Sequence, residues 1–306
     1  MSSPGYSLRQ LAYFVAVAEA GTLAGASATL HVSASALSLA LDELERALDV
    51  QLTVRRRAHG IRLTPAGQDT LRRARRLLRD AGELADAAGG EAGDVAGTVR
   101  VGCYTTLAPG LLPATLGRFA VRHPRARVEF VEGPQDGLQR GLLEGELDVG
   151  VLYDHRLDPA LELTGLSSNT PYLVLPGGHR LAHGAPVHLA ELAEEPMVLL
   201  DLPPSSEHAL GVCLAAGLSP RVRHRTANPD TARALVGAGL GFSVLAQPVP
   251  GTRTHAGDEV VAVPIADDPA PLPIVLAWSG QVAPTATARA FAAAAAGDDE
   301  GGRSHR

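Results

Sequence analysis

Arg55, Arg56 and Arg57, with Arg62 close behind, form a dense cationic cluster early in the chain. Guanidinium groups pair bidentately with phosphate oxygens, so such a cluster suits a nucleic-acid backbone. Just upstream, Ala34, Ser35 and Ser38 oppose a stripe of Leu37, Leu41, Leu44 and Leu48 at helical spacing. A helix that buries one apolar stripe and presents small side chains on the other face can enter a DNA major groove. Flanking arginines then hold the phosphates on either side, and Arg9 adds one more donor. A second run, Arg72, Arg73, Arg75, Arg76 and Arg79, lies farther along. There the plainer reading is adopted: a solvated face that keeps an exposed helix soluble, with a minority touching DNA or a partner subunit.

Other chemistries find little support. There is no G-x-S-x-G, no P-loop and no H-E-x-x-H. The run Gly237-Ala238-Gly239-Leu240-Gly241 follows a helix and precedes a strand, the reverse of a dinucleotide loop, and reads as a helix cap and turn. His179 and His183 sit in a Pro/Gly-rich stretch and are not taken as metal ligands. Cys103, at a strand end, has a place open to a redox sensor, but it and Cys213 read as buried, inert thiols. No catalytic residue, metal or cofactor is assigned.

The elements that must position these groups follow from pattern. At 306 residues, with 45% apolar and 20% charged residues, the chain suits two or three soluble domains. The net charge of −6 excludes a protein basic all over, and every one of the 27 basic residues is arginine. Residues 1–67 carry six arginines against five acidic residues, a net of only +1. No run reaches the ~18 apolar residues of a membrane span. Met1 to Gln10 lacks a signal-peptide pattern, and two distant cysteines suit a reducing cytoplasm.

Leu8, Leu11, Phe14, Val15 and Ala18 mark a first helix that Gly21 ends. A short helix over 23–30 leads to Ser33, the N-cap of the third, with small Ala26 packed between them: a helix-turn-helix. The segment 55–63 reads as a two-stranded wing turning at Gly60, and Thr64-Pro65 starts a long helix to about residue 88. After a Gly/Ala/acidic hinge, strands alternate with helices, which predicts a parallel α/β sheet. The expected strands are 99–103, 127–132 and 147–152. A second α/β unit begins near 170, with strands 171–175, 196–200, 221–225 and 241–245. Strand 273–278 and helix 283–296 return to the first sheet.

The segment Leu8-Arg9-Gln10-Leu11-Ala12-Tyr13-Phe14-Val15-Ala16-Val17-Ala18-Glu19 resembles the opening of LysR-type transcriptional regulators. So do Leu30-His31-Val32-Ser33, Ala36-Leu37-Ser38, Leu44-Glu45, Val50-Gln51-Leu52 and Leu63-Thr64-Pro65-Ala66-Gly67, in order and spacing. The C-terminal layout is similar as well. The resemblance implies a fold of α and α/β class: a winged helix-turn-helix over 1–64, a dimerising linker helix over 65–89 and a hinge over 90–97. An effector domain of periplasmic-binding-protein type would follow over 98–297, before a disordered tail, 298–306. Its subdomains would be 98–170 with 270–297, and 171–269. Implied partners are double-stranded DNA, a small-molecule effector, a homodimer or homotetramer, and RNA polymerase as a further candidate; no membrane is implied.

The implied DNA contacts are Arg9, Ser33, Ala34, Ser35, Ser38, Leu39, Arg55, Arg56, Arg57 and Arg62. At Ala34, where the family usually carries glutamine, no amide is present to pair with adenine, and Leu39 is placed against a thymine methyl. Parallel α/β sheets bind ligands beyond the carboxyl ends of their strands. With the resemblance, this places Tyr104, Thr105, Thr106, Tyr153, Asp154, Ser205, Ser206, Asn228 and Gln247 at the effector. Thr106, Ser205 and Asn228 read equally well as helix caps. The expectation is a sequence-specific regulator modulated by an effector held between two subdomains. The alternative is a small-molecule binding protein with a weakened or partner-dependent DNA unit, and an enzyme on this fold ranks last.

Overall fold

The computed structural model describes residues 4–56, 60–88, 95–281 and 283–297. The expected DNA contact Arg57, most of the hinge and the tail lie outside them.

Helix α1 (Leu8–Ala20) starts with a capping box between Ser7 and Gln10 and ends at Gly21 in the left-handed region. Helix α2 (Leu23–Leu30) and α3 (Ala34–Leu48) meet at 109°, with Ser33 Oγ accepting from the Ala36 amide at the start of α3. Leu11, Phe14, Val17, Ala26, Leu37, Leu41 and Leu44 form their shared core. The wing is β1 (Thr53–Arg56) against β2 (Gly60–Leu63). Gly60 is not the turn itself but opens β2 at φ +75. A Cβ there would lie 2.5 Å from the Gly21 carbonyl oxygen, to which the Ile61 amide donates at 2.7 Å, so this docking requires glycine. Helix α4 (Pro65–Ala88) follows, with Thr64 Oγ1 accepting from the Gly67 amide.

The first α/β unit contains β3 (Gly97–Tyr104), α5 (Ala108–Arg122), β4 (Ala126–Gly133), α6 (Gln135–Leu143), β5 (Val149–Tyr153) and β6 (Leu161–Asn169). The second has β7 (Tyr172–Pro176), β8 (Pro196–Leu200), α7 (Ser205–Ala215), β9 (Arg221–Thr226), α8 (Pro229–Gly237), β10 (Ser243–Leu245) and β11 (Val260–Pro264). Strand β12 (Leu272–Ser279) and α9 (Ala286–Ala296) return to the first unit. Its sheet runs β4-β3-β5-β12-β6.

The expected parallel sheet is in fact mixed. β3 pairs parallel with β4 and β5, but β12 is antiparallel to both β5 and β6. Strand β6 has no counterpart in the sequence reading. It is an edge strand whose residues are mostly exposed on both faces, so no apolar alternation marks it. In the second unit β10-β7-β11 is antiparallel, β8-β9 is parallel, and a bridge from Met197 to Phe242 links the two sets. β5 is buried at all five residues, as a central strand covered on both faces must be. The Gly237–Gly241 run ends α8, and Gly239 and Gly241 take positive φ in the turn to β10.

Candidate functional site

The outer face of α3 carries Ala34, Ser35 and Leu39 in exposed positions and Ser38 half-buried, opposite the leucine stripe. Leu39 is 58% exposed. Ser33 and Ser35 hydroxyls lie 3.1 Å apart at its N-terminus. Arg9 is exposed, but its Nε donates to the Tyr13 hydroxyl at 2.6 Å and its guanidinium lies over that ring. Arg55 and Arg56 end β1, opposite Ile61 and Gly60, and Arg62 is exposed on β2. The wing is pinned to α3 by Glu45, whose Oε1 accepts from the Leu52 amide, the Thr53 amide and the Thr53 hydroxyl.

The arginines of α4 depart from the expected solvated face. Arg75 is 6% exposed. Its Nη2 lies 3.2 Å from Glu19 of α1 and 3.0 Å from Glu146, and its Nη1 donates to the Glu144 carbonyl. Arg79 pairs with Asp148 at 3.0 Å and donates to the Gly145 carbonyl at 2.7 Å. Asp148 also accepts from the Arg100 amide. Burial pushes the Asp148 carboxyl up, while Arg79 and that amide hold it back. The α6–β5 corner is thereby fastened to the linker helix, and through Arg75 to the helix-turn-helix. The sequence could not separate these two arginines from Arg72, Arg73 and Arg76, which pair along their own helix with Asp69 and Asp80.

A cavity of about 370 Å³ opens between the two sheets. Of the residues expected at an effector, Thr106, Ser205 and Gln247 line it. Tyr104 and Tyr153 are fully buried beside it, and the Tyr104 hydroxyl reaches across the cleft. Tyr104 donates to the Leu202 carbonyl at 2.8 Å and lies 3.0 Å from Ser205 Oγ. Asn169 Nδ2 donates to Tyr153 Oη at 3.3 Å and to Gln247 Oε1 at 2.6 Å. Gly110 leaves room for Gln247, since a Cβ there would lie 2.6 Å from Nε2. Burial raises the Tyr104 phenol to about 12, so it stays a donor.

Thr105, Asp154, Ser206 and Asn228 are not brought to the cavity. Asp154 is exposed, Ser206 is buried in α7, and Asn228 caps α8 by accepting from the Asp230 and Thr231 amides. His208, Asp230 and the segment Ala246–Pro250 line the cavity instead. The signal for His208 was its place three residues after Ser205, on the same side of α7. Two lining atoms, Thr106 Oγ1 and His208 Nε2, are buried without a hydrogen-bond partner. Burial pushes His208 below the usual imidazole value, against the Ala270 carbonyl, which favours the charged ring. Cys103 and Cys213 are free and fully buried. Among the described residues no cluster suits a metal ion, and His179 instead contacts Glu195 at 2.8 Å.

Residues 8–68 match the family model of the bacterial regulatory helix-turn-helix protein, lysR family, and residues 92–298 match that of the LysR substrate binding domain. The chain belongs to the LysR family. This LysR-type regulator is 34% identical over 261 residues to a probable hydrogen peroxide-inducible genes activator of Mycobacterium avium, covering 82% of each chain. It is 48% identical to the C-terminal domain of a probable LysR family regulator from Rhodococcus sp. RHA1, covering 64% of this chain and 97% of that one, with TM-score 0.62. Full-length CbnR complexed with its target DNA is 28% identical, with 94% of this chain and 97% of that one covered and TM-score 0.61. The LysR-type regulator is thus a DNA-binding transcriptional regulator with an effector-binding domain. No single described helix is long and apolar enough to cross a membrane.

Proposed function

We propose that this regulator reads DNA with the exposed face of α3, using Ser35, Ser38 and Leu39 at base edges. Ser33 and Ala34 sit at the phosphate-side end of that helix, and Arg9, Arg55, Arg56, Arg57 and Arg62 contact the backbone. Two copies pair through α4, as a dimer or a dimer of dimers, and set two α3 helices in successive major grooves of a near-palindrome. Leu77 and Leu84, seven residues apart on α4, are 42% and 74% exposed, which supports a pairing face there. The protein acts in the cytoplasm, contacts RNA polymerase when it activates, and performs no catalysis.

The effector occupies the cavity between the sheets. The observation that carries this reading is the cavity itself, which Thr106 and Gly110 line from the first unit and Ser205, His208 and Gln247 from the second. A ligand that fits one arrangement of the two units better than another shifts the equilibrium between them. The shift reaches DNA through the α6–β5 corner, Arg79 and Arg75. The domain divisions 1–64, 65–89, 90–97, 98–297 and 298–306 belong to the same proposal. A thiol-based peroxide response does not: burial pushes Cys103 to about 12 and Cys213 to about 11, far from the accessible thiolate such chemistry needs.

Fluorescence anisotropy against the regulator's own upstream intergenic DNA, with a scrambled duplex as control, tests the reading. Preference for its own DNA with a steep salt slope supports it. Equal, weak binding to both duplexes rejects it in favour of a binding protein with a weakened DNA unit.

A further inference from the structure

Resting on the reading of the cavity as the effector site, we infer that it selects an uncharged ligand: a compact apolar molecule with a single amide- or alcohol-like polar end. Its walls are largely Leu200, Ala209, Val244, Leu245 and Val249, with several prolines. Burial of such walls favours an apolar body. For the polar end, the lining residues Thr106, Ser205, His208 and Gln247 supply two hydroxyls, an imidazole and an amide.

An anion would meet no cationic side chain on the walls. No arginine is among the described residues lining the cavity. The nearby Arg233 is 7% exposed and already donates to the Gly251 carbonyl at 2.6 Å, with Asp230 4.0 Å away. Three helix N-termini, of α5, α7 and α8, border the cavity, and such termini ordinarily attract anions through free amides. Here several of those amides are missing or engaged. Pro109, Pro204 and Pro229 have no N–H. Gly110 and Leu111 donate to the Leu107 carbonyl, and Ser206 donates to the Leu202 carbonyl. Asp230 and Thr231 donate to Asn228 Oδ1. Asp230 adds a carboxylate at the rim, which repels an anion. A cation gains little from it, because Arg233 and His255 already flank that carboxylate at 4.0 and 3.6 Å. Burial of His208 favours its neutral ring, so the imidazole supplies no positive charge either.

Benzamide, benzoate and benzamidine share one shape and differ in charge, and they are the probes. Calorimetric titration of the full-length protein should show saturable benzamide binding in the millimolar range, as suits so small a ligand. Benzoate and benzamidine should each bind at least about tenfold more weakly. Thr106→Val should weaken benzamide about fivefold by removing one partner, leaving its rank against benzoate unchanged. Val249→Trp, on the lining loop, fills the cavity and should abolish benzamide binding while the melting temperature holds. Benzamide binding that survives Val249→Trp, in a folded variant, would show that the cavity is not the site, a failure of the underlying reading. Val249→Trp-sensitive binding in which benzoate or benzamidine equals or exceeds benzamide leaves that reading intact and overturns the neutral-ligand inference. Failure of benzamide to saturate by about 10 mM also overturns it.

Discussion

Arg75 and Glu146 lie 71 residues apart in sequence, and their side chains meet at 3.0 Å. The same guanidinium reaches Glu19 of the helix-turn-helix, so one side chain joins three parts of the molecule. Glu19 and Glu146 are half-exposed, which moderates the energy, but Arg75 itself is buried. Arg75→Ala should cost about 2 kcal/mol of stability by leaving two carboxylates and a carbonyl without their donor. It should also uncouple effector binding from DNA binding, read as loss of the effector-induced change in DNA affinity. Arg75→Lys should not restore coupling, since one ammonium cannot hold three acceptors set in different directions. Unchanged coupling in Arg75→Ala would remove this side chain from the route.

Glu45 holds the wing against α3 through three hydrogen bonds to Leu52 and Thr53. Glu45→Ala should lower stability by about 1–3 kcal/mol, because two backbone amides lose a charged acceptor. DNA affinity should fall as well, with the α3 base preference retained. A thermal melt and an anisotropy titration check the two effects.

The wing and α3 should be separable by their salt and sequence signatures. Arg55→Ala combined with Arg56→Ala should weaken binding on every duplex and reduce the slope of log affinity against log salt by about 2. An unchanged slope removes these arginines from the phosphates. Ser38→Arg should reorder the ranking of duplexes, because an arginine in the groove seeks guanine. A preserved ranking would mean that α3 does not read bases.

Acid should act through His208. Burial lowers its pKa in the folded state, so the unfolded chain binds the proton more tightly. The folded state therefore has its full relative stability above the ordinary value of 6.5 and loses it as pH falls through the lowered folded value. The melting temperature should drop on going from about pH 7 to about pH 5, and His208→Gln should flatten that drop. An equal drop in both proteins would assign the acid sensitivity to other groups.

Where a residue's role depends on its own helix or strand, the sequence displayed it. The leucine stripe of α3, the Ser33 cap and the Gly21 stop are local, and the structure repeats them. Thr106, Ser205 and Gln247 were placed at a cavity because they follow strands or begin helices. Tertiary pairing was not legible in this way. Edge strand β6 has too little burial to leave a periodic trace, and Arg75 reads the same as Arg73 until the α6–β5 corner packs onto it. Position and the resemblance put Asn228 and Asp154 at the site; of these, Asn228 takes the helix-cap role the sequence also offers, and Asp154 faces solvent.

The cleft is crossed by Tyr104 to Leu202 on one side and by Asn169 to Gln247 on the other. Any motion that separates the two units must break these links. For an effector whose exchange requires that motion, the frequency of separation, rather than diffusion, sets the upper speed. Removing the Tyr104 hydroxyl would quicken arrival and departure together. The time over which the regulator remembers a vanished signal would shorten, even where the equilibrium response stays much the same.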